Sequence, residues 1–246
     1  MLSRSVRFAM RGFAGLCLAV LIPCAGIADE PSTAVIATID GEPVAVGEFL
    51  LHLNAQRGRV YARFQALARV EDTDRFWHAD YHGVTPWAFL KAQALEDLKA
   101  VKVQQGEARR AGLIDDTSYA AFRRRFEDEN RRRAAAVEKG EPVYGPVQVG
   151  EWEFYNYELA QLVLRLKRRL AEDALQVSAV EARQYFEQHK VSRYRAPDTV
   201  SAEVYENFES SVRRDCLDEK YRAFVQALVA KASLVIEQPV YDGVDP

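Results

Sequence analysis

The sequence predicts a mainly α-helical domain closed by a small β-sheet that pairs its N- and C-terminal strands. Between Val46 and Ala232, apolar residues recur at spacings of three, four and seven, the period of helices buried on one face. Val35-Ile36 and Thr38-Ile39 form a short β-favouring run just before the first helical stretch, and Ser233 to Val240 is the only comparable run after it. A lone strand leaves its backbone groups unpaired, so Val35–Ile39 and Ser233–Glu237 are natural partners.

The elements follow in order. Arg4, Arg7 and Arg11 precede an apolar segment from Phe13 to Ile27, and Gly26-Ile27-Ala28 offers small residues for cleavage before Asp29. Residues 1–28 read as a signal peptide, and residues 29–246 as one extended domain that is exported to a periplasmic or other extracytoplasmic compartment. The apolar segment is shorter than the ~20 residues of a membrane span. Pro23 stands where a small residue would precede a lipidated Cys24, which argues against a lipid anchor. Cleavage removes Cys17 and Cys24, so Cys216 has no internal disulfide partner.

Asp40-Gly41 supplies a tight turn tolerant of positive φ, and Pro43-Val44 extends the chain again. A first helix runs from about Val46 to Val70 with Phe49, Leu50, Leu53, Val60, Phe64 and Leu67 inward, although Gly58 weakens its middle. Glu71 to Val84 reads as a loop. Thr85-Pro86 starts a helix that Gly112 ends, with Leu90, Ala94, Leu98, Val101 and Ala108 inward. Asp116 or Thr117 caps the next, about Ser118 to Glu138, which shows Tyr119, Phe122 and Phe126 on one face. Lys139 to Gly150, rich in glycine and proline, is a loop between helical hairpins. Glu151 to Glu172 carries the clearest stripe, Trp152, Tyr155, Leu159, Leu162, Val163, Leu166 and Leu170. Residues 113–175 thus read as a helical arm. Ser178 and Glu181 form a capping box for a short helix to Lys190. Pro197 then breaks the chain before a last helix, about Val204 to Ala232.

Charge and motifs narrow the function. Without the leader's three arginines, 33 basic residues become 30 against 36 acidic ones, a net charge of −6 that argues against nucleic-acid binding. No glycine-rich phosphate loop supports nucleotide binding, and no cofactor is expected. His78 and His82, with Asp80 between them, lie in a loop without a further ligand, so no metal site is assigned. No Gly-x-Ser-x-Gly turn is present, Cys216 lies within a helix as a structural thiol, and no catalytic residue emerges. Glu151, Glu153 and Glu158 read as a solvated face. The arginine triplets at 123–125 and 131–133 alternate with acids and read as a solvated, ion-paired face. The aromatics are more suggestive. Phe76, Trp77, Tyr81, Trp87, Trp152 and Tyr155 cluster around two loops and are the candidate lining of a cleft for extended apolar peptide.

Val35-Ile-Ala-Thr-Ile-Asp-Gly-Glu-Pro-Val44 followed by Val46-Gly-Glu-Phe49 resembles the start of the SurA, PpiD and PrsA group of exported foldases. Ala94-Leu95-Glu96-Asp97-Leu98, Val101 to Gln105 and Ala108 to Leu113 are similar to that family's second helix. Val177-Ser178, Glu181, Tyr185-Phe186 and Tyr194 to Asp198 resemble the stretch before its isomerase module, and Ala227 to Ile236 its closing helix and strand. In the family's isomerases a parvulin module of roughly ninety residues follows that stretch. Here only Asp198 to Asn207 precedes the last helix. The resemblance therefore implies a SurA N-terminal-like chaperone lobe without a prolyl isomerase site. Its expected partners are unfolded or extended apolar polypeptides, including envelope proteins, bound without nucleotide, with a homodimer left open. Two other readings stay open: a prolyl isomerase-related enzyme with an unrecognised site, and a non-catalytic envelope assembly subunit.

Overall fold

The computed structural model describes residues 33–68, 74–194 and 202–246. The signal peptide read at 1–28 and the break at Pro197 lie outside the described residues. Strand β1 (Val35–Ile39) turns at Asp40-Gly41 and returns antiparallel as β2 (Glu42–Ala45). The turn residues take φ of 50° and 80°, the left-handed pair whose twist matches a two-residue hairpin. β2 is a strand the sequence reading missed. Its Pro43 argues against a central strand, but β2 lies at the sheet edge, where a missing N–H is tolerated.

Strand β3 (Leu234–Ile236) pairs antiparallel with the other side of β1, Ala37 opposite Ile236 and Ile39 opposite Leu234. The two ends of the chain therefore close on one another as expected. Asp40 N–H donates to the Ser233 carbonyl at 3.0 Å, and the Asp40 carboxylate accepts from the Ser233 N–H at 2.8 Å.

The rest is helical: α1 (Val46–Ala68), α2 (Asp74–His78), α3 (Pro86–Arg110), α4 (Tyr119–Glu138), α5 (Glu151–Ala171), α6 (Ala179–His189), α7 (Ala202–Lys231) and α8 (Gln238–Asp242). α1 runs unbroken through Gly58 and buries Phe49, Leu53, Val60 and Phe64. Leu67, expected inward, is 69% exposed, because the last turn outruns the core it packs on. α2 is a single turn within the expected loop. α3 begins with Thr85 Oγ1 accepting the Ala88 N–H and ends at Gly112, whose φ is 69°. The cap of α4 is Ser118, not Asp116 or Thr117. Asp116 instead accepts the Ser118 N–H, and the Thr117 hydroxyl donates to Glu42. The capping box at Ser178 and Glu181 forms as read, opening α6. Among the described residues no helix is long and apolar enough to cross a membrane.

α3 is the axial element, touching α1, α2, α5, α7 and the sheet. On its sheet side, Ile36, Ile39, Phe49, Phe76, Trp77, Trp87 and Leu90 form one apolar core. α8, whose first residues fall in the β-favouring run read from Ser233 to Val240, closes that core. Trp87 Nε1 donates to the Val244 carbonyl at 3.1 Å, and Lys91 Nζ donates to the Tyr241 carbonyl at 2.9 Å.

α4 and α5 meet where Tyr119 donates its hydroxyl to Glu151, Phe122 packs on Tyr155, Phe126 packs on Phe154 and Arg125 pairs with Glu158. The 139–150 segment between them returns along α4. Asn130 holds the Val149 backbone through both its amide groups, and Arg133 donates to the Tyr144 and Pro146 carbonyls. Of the stretch read as an arm, α5 packs on α3 and α7. The part that stands clear is the second half of α4 with its return segment.

Gly41→Ala tests the turn that aligns the sheet. A Cβ there would meet nothing within 4 Å, so only the backbone conformation is penalised. We expect a loss of about 1 kcal/mol, read as a shift in urea midpoint at unchanged slope.

Candidate functional site

Glu48 and His52 stand one turn apart on the inward face of α1, in line with Phe49 and Leu53. Lys102 falls between Val101 and Val103 on the buried face of α3. Packing α1 against α3 brings Lys102 Nζ within 2.8 Å of Glu48 Oε2, both side chains cut off from water. Tyr155 of α5 donates its hydroxyl to Glu48 Oε1 at 2.8 Å, and Lys102 also reaches the Thr117 carbonyl at 3.4 Å. Three helices and the segment before α4 therefore meet on one buried ion pair. Burial, then the Glu48 charge, pushes the Tyr155 phenol well above its ordinary range.

His52 lies beside this cluster, 4% exposed, with its ring edge-on to Trp152 and Tyr155 at 5.3 Å from each centroid. Its Nε2 is buried with no hydrogen-bond partner. Burial pushes its pKa down from 6.5 to about 4; Asp97 opposes that shift and Lys102 adds to it. The imidazole is neutral at ordinary pH.

Above the cluster a cleft of about 540 Å³ opens between α4, α5 and the 113–118 segment. Glu48, Gln105 and Tyr155 lie at its floor, Phe122, Leu159 and Leu162 along its walls, and Tyr157, Arg125, Glu158 and Arg165 around it. Tyr157 is 61% exposed. Arg125 forks onto Glu158, with Nε–Oε1 at 2.8 Å and Nη2–Oε2 at 2.9 Å, which pins α4 to α5 across the opening. On the floor Glu48 and Tyr155 are engaged with one another, and Gln105 Oε1 is buried without a hydrogen-bond partner, so the arrangement suits binding rather than proton transfer. Apolar walls with a few fixed polar groups, at this volume, are the usual make-up of a ligand site.

The six aromatics singled out from the sequence do not share one cleft. Phe76, Trp77 and Trp87 are buried in the sheet-side core, with Tyr81 packed against it. Trp152 and Tyr155 belong to a second cluster with Tyr119, Phe122, Phe126 and Phe154. Of the six, only Tyr155 lines the cleft, with Trp152 stacked on it at 6.2 Å. Glu48, His52, Lys102 and Gln105 carry the floor and its surroundings, and the sequence reading passed over them. Their signal was present as polar residues set into otherwise apolar helix faces, beside Phe49, Leu53, Leu98 and Val101.

Glu151 and Glu158, read as plain solvation, instead tie α5 to Tyr119, Arg123 and Arg125. The arginine triplets do pair with acids one turn away, as with Arg132 and Arg133 on Glu129. His78 and His82 are both exposed, His82 in left-handed backbone, and no metal-binding group of three or more is found among the described residues. Cys216 is buried, and burial pushes its thiol pKa up. No protein-family model matches the sequence, and neither a curated protein nor a solved structure matches it.

Lys102→Met strands the Glu48 carboxylate in the core, and we expect a loss of about 3–5 kcal/mol in urea unfolding. The double variant Glu48→Leu with Lys102→Met removes both charges and is expected to recover most of that loss. A double variant no more stable than the single one would show that the pair does not act as a unit.

Proposed function

We propose that this protein is an exported, ATP-independent chaperone that binds unfolded or extended apolar polypeptide, envelope proteins among its clients, and has no prolyl isomerase site of its own. The observation that carries the reading is the cleft beneath α4 and α5. Its aromatic and aliphatic walls suit extended peptide of varied sequence, and its partly charged rim keeps the opening soluble. The resemblance of the chain's two ends and its α3 stretch to exported foldases points the same way. A holdase of this kind acts by mass action on the unfolded state, so it needs accessible apolar surface and no reactive constellation. Ordering the client on binding keeps the affinity modest.

The test is suppression of aggregation when a chemically unfolded protein is diluted from denaturant without nucleotide. Equimolar protein is expected to suppress it. Tyr157→Asp, at an exposed position, should raise the amount required by about threefold at unchanged fold stability, since one apolar contact is worth roughly 1 kcal/mol or less in such a site. No suppression by the natural chain at equimolar concentration would overturn the reading. A proline-limited refolding assay covers the enzymatic alternative: acceleration at one-hundredth of an equivalent would show isomerase activity.

A further inference from the structure

We infer that His52 is an acid latch: its protonation releases the aromatic face of α4 and α5 from α1 and adds that face to the surface the cleft offers client. The inference rests on the chaperone reading for the client, and on geometry for the latch. His52 packs edge-on against two rings of α5, Trp152 and Tyr155, and its Nε2 has no partner. A neutral imidazole sits there at small penalty. A protonated one places an unpaired N–H⁺ out of reach of water, and the ring faces return less than the lost hydration.

The charged and titratable groups around it sharpen the effect. On α1, Glu48 is one turn away but is already engaged by Lys102 and the Tyr155 hydroxyl. On α3, Lys102 repels a second cation, while Asp97 attracts it and already accepts from Gln56 and Gln93. On α5 the facing titratable group is Tyr155, whose phenol stays protonated. A proton on His52 is accommodated when α5 lifts and admits water, at the cost of the Tyr155–Glu48 hydrogen bond. That motion exposes Trp152 and Tyr155, the rings packed on His52, and reaches Phe122, Phe126 and Phe154, which cluster with them.

The sign follows from linkage. In the closed state the group titrates at about 4, and in an open, hydrated state near its ordinary 6.5. The closed form is fully favoured above 6.5, and its advantage falls as pH drops from 6.5 towards 4. Over that window the opening equilibrium should rise on the order of a hundredfold.

The full chain is tested with a fluorescent, permanently unfolded client, reduced and carboxymethylated α-lactalbumin, at pH 7.5 and pH 5. The natural chain is expected to bind at least tenfold more tightly at pH 5 with unchanged far-ultraviolet dichroism. His52→Phe should change less than twofold, and His52→Gln serves where the Phe variant folds poorly. Equal pH dependence in chain and variants would overturn the latch while leaving the chaperone reading intact. No client binding at either pH would overturn the chaperone reading alone. The latch is then decided by ¹⁹F NMR of the 5-fluorotryptophan-labelled chain. A Trp152 resonance that titrates between pH 6.5 and 4, absent in His52→Phe and with Trp77 and Trp87 unmoved, supports it. A Trp152 signal that stays fixed, titrates equally in the variant or moves only with the other two overturns it.

Discussion

Glu48 and Lys102 face one another at 2.8 Å in a setting with no water to screen or solvate them. Such a pair adds little net stability, because its attraction repays desolvation only when the geometry is right. What it contributes is register. Sliding α1 against α3 by one turn would leave two bare charges in the core, a penalty of several kcal/mol. The Tyr155 hydroxyl extends the constraint to α5, and the Thr117 carbonyl extends it to the segment that walls the cleft. A second carboxylate, Glu42 on β2, holds the Thr117 hydroxyl at 2.6 Å and also pairs with Arg109 at the end of α3. The cleft's floor and one of its walls are thus fixed by two acids, six residues apart.

The two ends of the molecule are built differently around that anchor. On the sheet side, Phe49, Phe76, Trp77 and Leu90 are wholly buried, each contributing on the order of 1.5–3 kcal/mol by removal of apolar surface from water. Three strands, α2 and α8 close this core on itself. On the other side, α4 buries only Tyr119, Ala121, Phe122 and Ala136, and its outer face is a ladder of one-turn ion pairs. Exposed pairs of that kind keep a helix soluble but hold it weakly. Local opening costs least at the weakly held end, where few buried contacts resist it. The same asymmetry explains why the aromatics divide as they do. Those delivered by α2 and the start of α3 complete the tight core, and those on α4 and α5 line the looser interface.

The sequence by itself determined what neighbouring residues can decide. The Asp40-Gly41 turn, the Thr85 and Ser178 caps, the stop at Gly112, the stripes of α3 and α5 and the pairing of β1 with β3 all rest on contacts within a turn or on a strand's need for a partner. Capping hydroxyls, positive φ and a 3.6-residue period are written in the chain itself. β2 escaped because Pro43 weakens its local preference for a strand, and α8 because its first residues, Gln238 to Val240, read as β-favouring; the core they cover stabilises both. Tertiary structure alone decided the candidate site. Glu48, Lys102 and Tyr155 are each more than fifty positions apart, so no local pattern announces their meeting, and a buried charge is tolerable only once its partner has been delivered. The path of the 139–150 segment was equally hidden, since it depends on Asn130 and Arg133 drawing that segment back along α4.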